Sequence, residues 1–152
     1  MPVAEYSNSV FGHYFVTASP DEIAGLDAGA YGGALARTSA GFNAWDAPAS
    51  ATQSVCRFFT TAFPPRSSHF YPADPAGCAG VRNNPDGQYA TIAFHVRVPA
   101  ACAAGTPPVY LRYGNGQTGA PNHGFTTSLA VYQDFATQQG WSGEGVRFCA
   151  PE

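Results

Sequence analysis

The segment His13-Tyr14-Phe15-Val16-Thr17 returns as His69-Phe70-Tyr71-Pro72-Ala73 and again as His123-Gly124-Phe125-Thr126-Thr127. The three histidines stand 56 and then 54 residues apart. Self-similarity at a period of roughly fifty residues constrains the fold more than any composition figure, because a unit of that size cannot bury its own apolar face and must pack on its neighbours. A short β-prone stretch lies upstream of each histidine: Val3-Ala4-Glu5-Tyr6, Val55-Cys56-Arg57-Phe58-Phe59 and Val109-Tyr110-Leu111-Arg112-Tyr113. A helical start lies downstream of each. Ser19-Pro20-Asp21-Glu22 offers an N-cap serine, proline at the first helical position and acids in the first turn, and predicts a helix to about Ala28, ended by Gly29. Asp74-Pro75-Ala76-Gly77-Cys78 begins the same way and predicts a shorter helix, whereas the stretch from Ser128 to Phe135 is the best helical segment and ends near Gly140. A closing strand follows, carrying Phe42, Phe94 and Phe148, which trail their histidines by 29, 25 and 25 residues.

The expected unit is therefore strand, strand, short helix, strand, in repeats at about residues 3–48, 54–98 and 108–151 of one domain spanning 1–152. Residues 47–53 and 99–108 read as linkers. The expected fold is mainly β with short helices: three degenerate repeats in a compact pseudo-threefold domain, trefoil-like or a small propeller-like ring. Two-layer α+β packing without symmetry is the alternative.

The 17 glycines and 13 prolines leave no room for long helices, and no apolar run approaches the ~20 residues that span a bilayer, so membrane insertion is not expected. Charged residues are only 11% of the chain, there is no lysine, and the net charge is −3 without a basic block. Phosphate neutralisation on nucleic acid and polybasic membrane docking both lack support. The start, Met1-Pro2-Val3-Ala4-Glu5, has neither the basic nor the apolar region of a signal peptide. Either the protein is cytoplasmic, or a leader or larger upstream region has been removed; the cysteines bear on that choice and favour a secreted protein whose leader or upstream region is absent from this chain.

Cys56, Cys78, Cys102 and Cys149 form an even set with no CxxC pair, which argues against a zinc site of paired thiolates. Four cysteines allow three pairings. Cys56–Cys78 and Cys102–Cys149 are favoured because each then lies within or closes one repeat. In the chain-entropy model, loops of these sizes contribute about 3 and 4 kcal/mol. Four buried thiols in a cytosolic protein are the alternative.

With these pieces assembled, the chain resembles a bacterial and fungal repeat domain of unknown function whose unit runs Tyr-Arg, His-Phe-Tyr-Thr, a short helix, then Gly-Trp and Glu-Gly. The resemblance rests on His13 to Thr17, Val55-Cys56-Arg57-Phe58, Ser68-His69-Phe70-Tyr71, Asn122-His123, and Gly140-Trp141 with Glu144-Gly145. It covers about residues 3–151. Members of that family sit at the C-terminal end of secreted proteins, including esterases and polymer depolymerases. The resemblance thus implies an extracellular accessory module linked to a parent domain; it implies no established activity, and an appended module borrows no catalysis from its neighbour. Several positions depart from the pattern. Leu111-Arg112 stands where arginine followed by an apolar residue is usual, which alternation places on the face opposite Arg57. Pro72 ends its strand early or holds it at an edge, Ala90 stands where a glutamate is expected, and Gly124 replaces a larger residue.

Under threefold arrangement His13, His69 and His123 could converge as zinc or copper ligands; the competing reading, and the favoured one, is a local hydrogen bond at each imidazole. No cofactor is expected. His95 falls on the solvent side of its alternating strand. No Gly-x-Ser-x-Gly elbow occurs, Ser68 and His69 point to opposite faces, and the chain is not expected to be an enzyme. Arg57 and Glu144 are read as an inter-strand ion pair. Tyr14, Phe15, Phe70, Tyr71 and Phe125 are expected mostly in the core. Low charge with abundant hydroxyls and amides suits a neutral glycan or polymer surface, and Trp45, Trp141, Tyr71, Asn115 and Gln117 are the expected contacts. The expected function is a non-catalytic, glycan- or polymer-binding module; a structural spacer and a metal-binding or hydrolytic domain are the alternatives.

Overall fold

The computed structural model describes residues 1–114 and 121–151. The order strand, strand, helix, strand occurs three times: β1 (Pro2–Asn8), β2 (His13–Thr17), α1 (Pro20–Asp27) and β3 (Ala36–Asn43); β4 (Gln53–Phe63), β5 (Arg66–Phe70), α2 (Pro75–Arg82) and β6 (Gly87–Val96); β7 (Pro108–Gly114), β8 (Asn122–Thr126), α3 (Leu129–Gln138) and β9 (Ser142–Cys149). Each set makes one three-stranded antiparallel sheet with its first strand in the middle, in the orders β2-β1-β3, β5-β4-β6 and β8-β7-β9. The protein is mainly β with short helices, and the described strands do not close into a barrel.

The local chemistry accounts for the helices. Ser19, Asp74 and Ser128 each accept the amide N–H three residues on, at Glu22, Gly77 and Val131. Helix α1 stops where Gly29 takes φ +85°. Helix α2 is not shorter than α1, as expected, but equally eight residues long. Its first turn continues because Cys78 and Val81, three apart, bury one face. Strand β5 ends at Phe70, two residues before Pro72, and lies at a sheet edge.

Register fixes which positions correspond. Val3 faces Phe42, Val55 faces Phe94 and Val109 faces Phe148. All six are buried in one core cluster, to which every sheet contributes. The three phenylalanine rings touch one another at centroid separations of 5.5, 6.1 and 6.4 Å. The second strands β2, β5 and β8 also contact one another. Across that contact the Tyr71 hydroxyl donates to Val16 O at 2.9 Å and accepts from Val16 N–H at 3.1 Å. Tyr71 is only 3% exposed. Tyr71→Phe strands one donor and one acceptor of Val16 and is expected to cost about 2 kcal/mol, read as a lower midpoint of urea unfolding.

Both expected disulfides form, Cys56–Cys78 and Cys102–Cys149, with Cα separations of 5.7 and 5.8 Å. Two such bonds point to an oxidising, extracellular type of environment. No helix of the described residues is long and apolar enough to cross a membrane.

Candidate functional site

The junctions between sheets carry the chemistry. His69 and His123 each precede their helix N-cap by five residues, but His13 precedes Ser19 by six. The residue that corresponds to His69 and His123 is therefore Tyr14, and His13 corresponds to Ser68 and Asn122. Strand alternation then turns His13 to the opposite face. All of His13, Ser68 and Asn122 are buried, at 7%, 5% and 2% exposure. The convergent three-histidine site does not form: among the described residues no group of three histidine, cysteine or carboxylate side chains could hold a metal.

His69 and His123 instead sit against aromatic rings. His69 meets Phe15 at 4.8 Å and Phe59 at 4.9 Å; His123 meets Phe70 and Tyr113 at 5.0 Å each. Burial first, and then the charges of Arg57 and Arg147 respectively, pushes each down to about 4. Both imidazoles are neutral at pH 7.

The junction of the first and second sheets is closed by charge. Arg57 lies 5.3 Å over the Phe15 ring and forks onto Glu22 at the start of α1, at 2.7 and 2.8 Å. Thr17 Oγ1 also donates to that carboxylate. Glu144 is thus not the partner of Arg57; the acid comes from the preceding helix, and Glu144 lies exposed on another sheet. Arg57 holds the Glu22 carboxyl below its usual range.

The junction of the third and first sheets is closed differently. Gly124 occupies the position of Phe15 and Phe70, and a Cβ there would lie 2.3 Å from Arg112 Nε. Arg112 takes the space, 3.6 Å over Phe135 and 4.7 Å over Tyr14, with Trp141 at 5.8 Å. Its Nη2 donates to both Glu5 oxygens at 3.2 and 3.4 Å, and Thr38 Oγ1 donates to Glu5 at 3.1 Å. Burial pushes the Glu5 carboxyl up against the attraction of Arg112.

At the junction of the second and third sheets both ion-pair positions are vacated. By register Leu111 replaces Arg57. Gly77 replaces Glu22, and a Cβ at 77 would stand 2.9 Å from Pro72 Cβ, so no acid fits there. What remains is a cleft of about 180 Å³ walled by Phe70, Tyr71, Leu111, His123 and Phe125, with Glu144 and Arg147 also lining it. Those two β9 residues correspond to Ala90 and Ala93 of the second sheet. Phe70 is 37% exposed. Arg147 is held only loosely by Asp74, at 3.8 Å, and His123 Nδ1 is buried with no partner. An aromatic face, a donor and an acceptor around a small void suit one hydroxylated ring; the volume is below the roughly 300 Å³ of clefts for larger ligands.

The expected contacts are scattered. Trp141 packs between Tyr14 and Phe135 at 5.6 and 5.3 Å, in the Arg112 cage rather than as an open platform. Tyr71 is a core residue whose ring walls the cleft. Trp45 lies beside Arg97, 5.2 Å from its guanidinium, and pairs with His95 through two backbone bonds of 2.9 and 3.0 Å. His95 is 9% exposed rather than wet. Asn115 and Gln117 lie outside the described residues. The residues missed are Phe70, Glu144 and Arg147 as one group; the signal was the substitution of Leu111 for an arginine.

A family model described as a domain of unknown function, DUF5648, matches residues 2–151. No curated protein and no solved structure matches the chain.

Proposed function

The chain belongs to the DUF5648 family, and from that premise we propose that it is a non-catalytic accessory module of a secreted protein, binding a neutral sugar ring of a glycan or polymer surface in the cleft between its second and third sheets. On this reading the chain is three degenerate copies of one unit about a pseudo-threefold axis, and covalent linkage to a parent domain delivers that domain to the surface. The observation that carries the reading is the vacated junction: where the first junction holds Arg57 and Glu22, the second holds Leu111, Gly77 and a void rimmed by Phe70, Glu144 and Arg147. A pyranose stacks on an aromatic face while its vicinal hydroxyls donate to a carboxylate and accept from a guanidinium. Mutual contact of Phe42, Phe94 and Phe148 supports the threefold arrangement.

An array of neutral oligosaccharides tests the binding. Retention is expected to fall about tenfold in Phe70→Ala, the loss of one stacking contact, and to vanish in Leu111→Arg, which refills the void as Arg57 does. Trp45→Ala is expected to bind as the parent does. Absence of retention on every glycan, or unchanged retention by Leu111→Arg, contradicts the site and leaves the structural-spacer role.

A further inference from the structure

A second hollow, which shares no lining residue with the cleft, runs between α2 and the first half of β4. Its volume of about 530 Å³ falls in the range of clefts that hold small ligands. Its polar lining is Thr52, Gln53, Ser54, Arg82 and Asn83. Three observations point to a ligand there.

Gln53 Oε1 is buried without a hydrogen-bond donor, and an orphaned acceptor of this kind is costly unless something outside the chain supplies the donor. Among the described residues, Arg82 is the only charged one lining the hollow. Its guanidinium carbon lies 4.4 Å from the centre of the Tyr89 ring, its Nη2 donates to the Tyr89 hydroxyl at 3.2 Å, and no ion pair among the described residues engages it. The third observation is an open backbone rung. Cys56 N–H reaches Pro72 O on the side of β4 away from β6, and in a strand the groups of residue 54 point the same way. Strand β5 pairs no further along β4 than Phe58, so Ser54 N–H and C=O face the hollow. Cys78 Sγ lies 4.0 Å from Ser54 O but, oxidised in its disulfide, has no proton to donate. In the other two sheets the position before the core valine is Pro2 or Pro108. Those prolines have no N–H, so this opening is particular to the second sheet.

We propose that this hollow binds an acidic saccharide unit. The carboxylate lies on Arg82, one ring hydroxyl donates to Gln53 Oε1, and another accepts from Ser54 N–H. A positive charge with no acid beside it in the lining selects a carboxylate, and the orphan acceptor with an adjacent N–H matches a polyol that both donates and accepts. An added peptide strand fits less well, because its affinity comes from a row of main-chain bonds and one rung is open here. The inference does not rest on the neutral-sugar reading of the cleft.

The test is an ¹⁵N-resolved NMR titration of the full chain with α-1,4-digalacturonate, its neutral counterpart α-1,4-galactobiose, and the peptide acetyl-Gly-Asp. Digalacturonate is expected to shift the Gln53 side-chain amide, the Ser54 amide and the Arg82 resonances. Its affinity is expected to drop about tenfold or more in Arg82→Gln, the loss of one charge-assisted contact, and to fall in Gln53→Leu, with galactobiose far weaker. Both substitutions are on partly or fully exposed residues, and an unchanged melt establishes that they fold. No shift at these residues in the unsubstituted protein overturns the proposal, as does equal binding by Arg82→Gln or by galactobiose. Preference for the acidic peptide over digalacturonate overturns it in favour of a protein partner. Shifts confined to Phe70 and His123 assign the saccharide to the cleft and overturn it too, leaving the neutral-sugar reading to its own array.

Discussion

Arg112→Ala is expected to destabilise the fold by about 4 kcal/mol, the cost of leaving one member of a buried ion pair unpartnered. Arg112 and Glu5 are each 2% exposed. Truncation leaves the Glu5 carboxylate with Thr38 as its remaining side-chain donor, in surroundings that already push its pKa up. It also empties the space between Phe135, Tyr14 and Trp141, which Gly124 has no side chain to refill. The pair as such is worth much less than either half, because desolvating two charges consumes most of their attraction. Glu5→Leu combined with Arg112→Met, which replaces both with apolar groups of similar length, is therefore expected to recover most of the lost stability. Urea unfolding of the two singles and the double gives the answer directly. Arg112→Ala within about 1 kcal/mol of the parent, or a double variant no better than the single, removes the ion pair from the account of this junction.

The helix starts were legible in the sequence because capping is local: Ser19, Asp74 and Ser128 need only their own next three residues, and each receives the bond its type predicts. The closing phenylalanines were legible for a related reason, since a core position tolerates few alternatives and Phe42, Phe94 and Phe148 were kept in all three strands. The histidines misled because matching letters concealed a one-residue slip. Counting back from the caps instead of along the histidines places Tyr14 in line with His69 and His123. Ion pairing was illegible where the partners come from different segments far apart along the chain. Glu22 lies 35 residues from Arg57 and Glu5 lies 107 from Arg112, and nothing in the local pattern around one partner names the other. The cleft was half legible. Leu111 and Ala90 were visible as departures from the pattern, but that the first empties one junction while Glu144 and Arg147 rim it requires the docking of two sheets. Cleft and hollow alike are places where one sheet lacks what another has, so substitution away from the shared unit marks them better than the shared residues do.

Mild acid is expected to destabilise the protein through the same histidines. An imidazole held at about 4 in the folded chain and near 6.5 when unfolded favours the native state fully above pH 6.5. That advantage is lost as the pH falls towards 4, because the unfolded chain takes up the proton first. For His69 and His123 the loss is about 2 kcal/mol each by pH 5 and on the order of 3 each by pH 4. His13, also lowered by burial and by Arg66, adds to it. Glu22, held low by Arg57, contributes only below its ordinary value of 4.5, whereas Glu5, raised by burial, works in the opposite direction as it protonates. The histidines therefore dominate between pH 6.5 and 4.5, and their combined loss is comparable with the whole stability of a domain this size, about 5–15 kcal/mol. The unfolding free energy is expected to fall by roughly 4 kcal/mol between pH 7 and pH 5. In His69→Gln with His123→Gln the fall should shrink to the part carried by His13. Tyr14 already shows that a side chain without a proton to gain can stand at this position. A double variant whose stability still drops by the full amount would place the acid sensitivity elsewhere and leave these two imidazoles as packing alone.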